Sequence, residues 1–369
     1  MTSSDLYPVS RLAAVQEATA KAGLDALLLT PGPDLRYVSG YDAKPLERLT
    51  CLVVPASGEA YMMVPRLELP AAEASPASRL GLEFVAWDET DDPYAIAAAR
   101  LGRPAKVGLA DRMWAMSSLR FREALPGTEQ VLAGSVLREL RMRKSPAEVA
   151  ALRQAGEAID GVHRQVPGLL RAGRTEREVA RDIAEAILAS GHATVDFVIV
   201  ASGPNGASPH HDVSDRVIQA GEPVVVDIGG ALHNGYCSDS TRTYSVGEPP
   251  AEFAAYYEVL RQAQDAACRA VRPGVSCESI DAAARDVIAA AGYGDHFVHR
   301  TGHGIGIETH EEPYIVAGNG EPMEPGFAFS VEPGIYLPGR HGARIEDIVV
   351  CTDGGYERLN NTPRELVVV

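Results

Sequence analysis

The chain has 369 residues, 46% of them hydrophobic and 23% charged, and 50 acidic against 34 basic residues leave it with a net charge of −16. Such a chain can bury a sizeable core and is long enough for two domains. The acidic balance argues against a nucleic-acid partner, because phosphate contacts need clustered Lys and Arg, and the only basic stretch is the short run 138–144. Five cysteines, an odd number without a C-x-x-C spacing, give neither a disulfide framework nor a thiolate metal site. The longest early apolar run, Ala26 to Leu29, is far too short to cross a bilayer, so the expectation is a cytoplasmic protein with no membrane partner.

In chain order, Ser10 is expected to cap a helix that runs to Lys21 and stops at Gly23. Short strands follow at Asp25 to Leu29, at Thr50 to Val54 and Ala60 to Val64 around the turn Ser57-Gly58, and at Leu82 to Trp87, Lys106 to Leu109 and Gln130 to Leu132. With helical stretches between them they make an α/β domain, assigned to residues 1–137. The basic run reads as a connector. Ser145-Pro-Ala-Glu148 then opens a second domain, 145–369, with Ser at the cap, Pro at the first helical position and Glu three residues after the cap.

This second domain contains an echo. Arg171-Ala-Gly-Arg-Thr175 opens a helix ending before Gly191, and Arg272-Pro-Gly-Val-Ser276 opens another ending before Gly292, at a constant offset of 101 residues. Each is preceded by a long helical stretch, Pro146 to Leu170 and Pro250 to Val271, and followed by strands rich in acidic and His residues. The pattern predicts two α-α-β halves around a shared sheet.

The chemistry sits on those strands. Val224-Val-Val-Asp227 is an apolar strand ending on a carboxylate, which is costly to bury unpaired. Asp239 follows, and the two are symmetric about His233, so a hairpin would set them opposite each other on one face. Phe327-Ala-Phe-Ser-Val-Glu332 and Arg344-Ile-Glu346 repeat the arrangement about Gly339 in Pro338-Gly339-Arg340. Between the two lies His299-Arg-Thr-Gly-His303-Gly-Ile-Gly. Like charges face to face repel unless a cation lies between them. Four carboxylates and a neutral His303 balance two divalent ions, and two such ions ~3.5–4 Å apart can clamp a tetrahedral intermediate. Oxygen-rich donors suit Mn²⁺, with Co²⁺, Fe²⁺ or Zn²⁺ as alternatives. His233 and His341 fall in expected turns and are expected to face solvent.

The set Asp227, Asp239, His303, Glu332 and Glu346 resembles the ligand set of the pita-bread metallopeptidases, a family that includes methionine aminopeptidase, aminopeptidase P, prolidase and the metal-free creatinase. Gly203-Pro-Asn-Gly-Ala-Ser-Pro-His210-His, Thr301-Gly-His303-Gly-Ile-Gly, His310-Glu-Glu-Pro, Glu332-Pro-Gly-Ile-Tyr and Arg344-Ile-Glu-Asp carry the resemblance, and the large N-terminal domain points to the prolidase/aminopeptidase P branch. It implies an α+β pita-bread catalytic domain with a pseudo-twofold repeat after a smaller α/β creatinase-type domain. It also implies a homodimer and hydrolysis of Xaa-Pro bonds in small peptides, as a dipeptidase or, alternatively, an aminopeptidase on longer peptides; a non-peptidase hydrolase or lyase, or a non-catalytic binding protein on the same fold, are further alternatives. The implied roles are metal ligation by the five, proton shuttling by Glu332, and stabilisation of the reacting group by His210 and His310. His299 and Tyr336 would line the substrate pocket, with Arg344 supporting the site. His211 is a further candidate contact. A dipeptidase must also bind the substrate's free carboxylate, for which Arg340, His341, or Arg36 or Arg48 of a partner are candidates.

Overall fold

The computed structural model of the chain describes residues 6–369, which divide into two compact units between Arg141 and Met142. In the first unit the order is α1 (Val9–Lys21), β1 (Ala26–Leu29), α2 (Pro33–Ser39), β2 (Cys51–Pro55), β3 (Tyr61–Pro65), α3 (Leu69–Ala74), β4 (Glu83–Trp87), α4 (Pro93–Leu101), β5 (Lys106–Leu109), α5 (Ala115–Ala124), β6 (Glu129–Leu132) and α6 (Gly134–Met142). All six expected strands form, in one mixed sheet of order β4-β3-β2-β1-β5-β6. Only the β1–β2 and β2–β3 pairs are antiparallel. The central β1 is buried along its whole length, as an apolar strand covered on both faces must be. Two local expectations differ. α1 begins one residue before Ser10, after Pro8 in extended conformation, so Ser10 lies within the first turn and caps nothing. The basic run is no free connector either: α6 takes in Arg138 and Arg141, and Lys144 N donates to Gly326 O at 2.9 Å.

The second unit runs α7 (Pro146–His163), α8 (Val166–Leu169), α9 (Glu176–Ala189), β7 (Phe197–Ser202), β8 (Glu222–Ala231) and β9 (Cys237–Val246), then α10 (Ala251–Ala270), α11 (Cys277–Ala290), β10 (Gly302–Gly304), β11 (Glu311–Ile315), β12 (Ala328–Val331), β13 (Gly334–Leu337), β14 (His341–Arg344), β15 (Asp347–Thr352), β16 (Gly355–Arg358) and β17 (Val367–Val368). Ser145 and Glu148 form the expected capping box, a device worth about 1 kcal/mol. The first long helical stretch breaks into α7 and α8 just before Pro167, whose ring cannot continue an α-helix. α9 and α11 each hold 14 residues behind caps at Thr175 and Ser276, so the echo is structural. Only Thr175 makes the full capping box, because the Ser276 hydroxyl bonds Ser279 instead.

The halves do not share one sheet. The first contributes a four-stranded sheet, β17-β9-β8-β7, and the second a five-stranded one, β11-β10-β12-β15-β16, with β13–β14 as a separate hairpin. Each sheet carries its own helices and core: Ile159, Ile183 and Ile187 pack on Val224, Val226 and Ile228, while Leu260, Ile280 and Ile288 pack on Phe329, Val331 and Val349. The sheets meet where Glu346 N donates to Thr241 O at 3.1 Å and Thr243 Oγ1 to Arg344 O at 2.9 Å. The last residues return to the first half: β17 pairs with β9, and Asp160 on α7 accepts from Thr362 Oγ1 at 2.8 Å.

Candidate active site

The β8–β9 ladder sets Asp227 opposite Thr241 and Asp239 opposite Gly229, so the aspartates are diagonal neighbours rather than direct partners. The turn is centred on Asn234, whose Oδ1 accepts Tyr236 N at 3.0 Å, and not on His233. Moving the centre by one residue shifts the pairing by two, which keeps both carboxylates on one face. The second hairpin matches its expectation. Val331 faces Asp347 in one ladder and Gly334 faces Arg344 in the next, both about Gly339, and Glu332 and Glu346 occupy the gap between the ladders. Gly339 has φ +74, the left-handed conformation that favours glycine.

His303 reaches the cluster because its glycines admit backbone. A Cβ on Gly302 would stand 1.8 Å from Ser330 O, and one on Gly304 would stand 2.1 Å from Glu312 O, so β10 can press between β11 and β12 only without side chains there. His303 Nδ1 bonds Gly304 O at 3.1 Å, which fixes the tautomer and turns Nε2 towards Glu332 Oε1 at 3.2 Å and Asp239 Oδ2 at 3.6 Å.

The cluster is electrostatically loaded. Burial, and then the charge of Asp227, push the Asp239 carboxyl well above the usual carboxylate range; burial, and then Asp239, do the same to Glu346. Burial also opposes ionisation of Glu332, but the hydrogen bond and charge of His303 overcome it and hold that carboxyl down to about 2. Asp227 Oδ2 accepts Arg344 Nη2 at 2.5 Å while Oδ1 is buried with no hydrogen-bond partner. Ligating atoms of Asp239, His303 and Glu346 lie within 4.8 Å of one another. Raised carboxyls, an orphaned buried oxygen and an oriented imidazole fit divalent cations, which would relieve the first two costs and take the imidazole as a ligand.

These side chains floor a cleft of about 940 Å³, walled by Phe197, Val198 and Ile199 on one side and by His210, His299 and His310. His310 stacks edge-on to His303, ring centroids 4.1 Å apart, and burial and then the His303 charge lower its pKa to about 4. His210 is exposed at the rim. His299 is locked: its Nε2 meets Tyr336 Oη at 2.8 Å and its Nδ1 meets Arg300 O at 2.7 Å. Arg344 Nη1 donates to Tyr336 Oη at 2.8 Å, so the Tyr336 hydroxyl is left to donate to His299 Nε2.

Known proteins agree with this architecture. The profile of Metallopeptidase family M24 matches residues 150–353, and that of the Creatinase/Prolidase N-terminal domain matches residues 11–143. The chain belongs to metallopeptidase family M24. This M24 member is 56% identical over 360 residues to a probable dipeptidase, PepE, of Mycobacterium tuberculosis, covering 97% of this chain and 96% of that one. It is 34% identical over 358 residues to an Xaa-Pro dipeptidase of Lactobacillus delbrueckii subsp. lactis, covering 94% and 95%. The crystal structure of dipeptidase PepE from Mycobacterium ulcerans superposes with a TM-score of 0.93 at 57% identity, covering 98% of this chain and 97% of that chain. A prolidase from Thermococcus sibiricus does so at 0.91 and 38%, covering 97% and 98%. The α+β pita-bread fold behind a creatinase-type domain is thus the fold of this M24 chain, and among its described residues no helix is long and apolar enough to cross a membrane.

Several expected residues stand elsewhere. Tyr336 lies behind the cleft wall, between His299 and Arg344, and does not line the cleft. His341 is buried at the start of β14 with Nδ1 2.9 Å from Tyr256 Oη, so it does not face solvent, whereas His233 does. Arg340 pairs with Glu252 on the surface. His211 bonds Glu176, a fully buried carboxylate that also receives Ser202, Asn205 and Ser214 and so ties down the loop bearing His210. Sequence reading missed Glu176 and also Thr241, whose hydroxyl donates to Glu346 Oε2 at 2.7 Å. Strand alternation was the available signal for Thr241, two residues after Asp239 on the same face.

Proposed function

We propose that this M24 member is a dinuclear metallo-exopeptidase that hydrolyses dipeptides with proline after the scissile bond. The observation that carries the reading is the buried cluster of Asp227, Asp239, His303, Glu332 and Glu346 with its unpaired Asp227 Oδ1 at the floor of an open cleft. The names of the relatives, dipeptidase at 56% identity and Xaa-Pro dipeptidase at 34%, supply the substrate class. Held by those five residues, two divalent ions, Mn²⁺ first, would polarise the peptide carbonyl and furnish a nucleophile at neutral pH.

The protein's own residues do the rest. Glu332 Oε1 is engaged by His303 and Ser330, which leaves Oε2 to accept a proton from the attacking water and return it to the departing amine. His310 and His210 stand on the cleft wall to donate to the oxygen that gains charge. His299, its pKa lowered by burial and its ring oriented by two hydrogen bonds, offers a fixed surface to the proline side of the substrate. Arg344 positions Asp227 on one hand and Tyr336 on the other.

The test is to strip the protein with a chelator, restore Mn²⁺ and assay Ala-Pro, Ala-Pro-Ala and Ala-Ala. Mn²⁺-dependent cleavage of Ala-Pro above the other two is expected. Cleavage of the tripeptide as fast as the dipeptide would replace the dipeptidase reading with an aminopeptidase, and metal-independent turnover would remove the dinuclear one.

A further inference from the structure

A dipeptide differs from a longer peptide by a free carboxylate three covalent bonds from the scissile carbonyl carbon. Taking that charge out of water needs a cation that is near the cluster and not already paired. Three arginines line the cleft, and two of them are committed. Arg344 is buried and bonded to Asp227, Thr241, Tyr336 Oη and Pro209 O. Arg177 stands at the exposed rim and pairs with Asp215 at 2.8 Å. The third is Arg300.

We infer that Arg300 receives the free C-terminal carboxylate of the dipeptide, and that it thereby sets the length limit of the substrate; the inference rests on the dipeptidase reading above. The Arg300 guanidinium lies over the Tyr314 ring, 4.3 Å from its centroid, and none of the described carboxylates forms an ion pair with it. A guanidinium over an aromatic ring gains cation–π attraction without using its N–H groups, which stay available for a bidentate carboxylate. Tyr314 faces His303 across the β10–β11 ladder, which places this cation one strand from the metal-facing imidazole. Its root is rigid. Arg300 O bonds His299 Nδ1 at 2.7 Å, His299 O accepts Arg285 Nη2 at 2.9 Å, and Thr301 N donates to Asp281 Oδ1 at 3.1 Å. Extending the peptide by one residue turns the carboxylate into a neutral carbonyl and leaves Arg300 unpaired inside the cleft, so length is read as charge as well as shape.

The experiment compares the Mn²⁺-loaded wild type, Arg300→Gln and Arg300→Lys on Ala-Pro, Ala-Ala and the C-terminal amides of both. Arg300→Gln is expected to lower kcat/KM for the free acids by about 30-fold or more, through KM, while the amides change by less than about 3-fold. Arg300→Lys, with the charge but not the fork, should fall between. Unchanged discrimination between acid and amide in Arg300→Gln overturns the inference and leaves the dipeptidase reading standing. Equal cleavage of Ala-Ala and Ala-Pro, with discrimination lost in Arg300→Gln, removes the proline preference and supports Arg300. Wild-type cleavage of amides as fast as acids overturns both. Calorimetric titration of Ala-Pro and its amide onto the metal-stripped forms of both proteins reads the same difference without turnover: equal affinity of the wild type and Arg300→Gln for Ala-Pro overturns the inference.

Discussion

Two buried arginine–carboxylate pairs cross between the halves in opposite directions, and they differ in one respect. Arg242 of the first hairpin reaches Asp347 of the second at 2.6 Å, and Arg344 of the second reaches Asp227 of the first at 2.5 Å. Asp347 also accepts the Gln264 amide at 3.0 Å and Arg364 at 2.9 Å, and although burial opposes ionisation, the charges of Arg242 and Arg364 hold its carboxyl below the usual range. Asp227 accepts Arg344 and keeps its other oxygen bare. A saturated buried carboxylate is structural, and an undersaturated one is waiting for something. Both aspartates are buried; the count of donors tells them apart.

The largest test separates those roles. Asp227→Asn keeps the shape and should lower activity by ~10³-fold or more together with metal content, at little cost in stability. Asp347→Asn should keep its metal and lose about 3–5 kcal/mol in urea unfolding, because Arg242 loses its buried counter-charge. Equal stability losses in the two variants would erase the distinction. Next, His310→Ala should slow turnover by roughly 10²-fold with metal content unchanged, since its ring lines the cleft but bonds no ligand oxygen. A parallel loss of metal would move His310 into the saturating group.

A smaller effect comes from His163, buried between Tyr244 Oη and Ser240 O, where burial and then Arg242 lower its pKa to about 3. The unfolded chain binds this proton more readily, so stability present above the ordinary histidine value of 6.5 is lost as pH falls from there towards about 3. The slope should reach up to about 1.4 kcal/mol per pH unit and flatten in His163→Asn, read from urea midpoints between pH 7 and pH 5. Smallest of all, Arg340→Ala should leave both KM for Ala-Pro and the urea midpoint at their wild-type values, because its pairing with Glu252 is solvent-exposed.

Much of this was legible. The strands of the first unit, the capping box at Ser145, the offset of 101 residues and the hairpin about Gly339 follow from turn residues and alternation, which act over a few positions. What was hidden depends on side chains that meet only when distant segments pack. Tyr256 Oη takes His341 out of its expected exposed turn, from 85 residues away. Glu176 resembles any helix-start glutamate until Ser202, Asn205, His211 and Ser214 gather on it. The Asp227–Asp239 register differs from expectation because the turn centres on Asn234, whose side chain accepts Tyr236 N, and not on His233.

The return of the chain's last residues to the first half bears on how the protein is made. β17 completes the sheet of β7, β8 and β9, Asp160 waits for Thr362, and Arg242 waits for Thr362 O and Pro363 O. Synthesis is vectorial, so a nascent chain carrying all of the first half still lacks the strand and the acceptors that finish it. The first half is therefore translated early and completed late, and until then the edge of β9 and the buried guanidinium of Arg242 must be shielded by something other than the native fold.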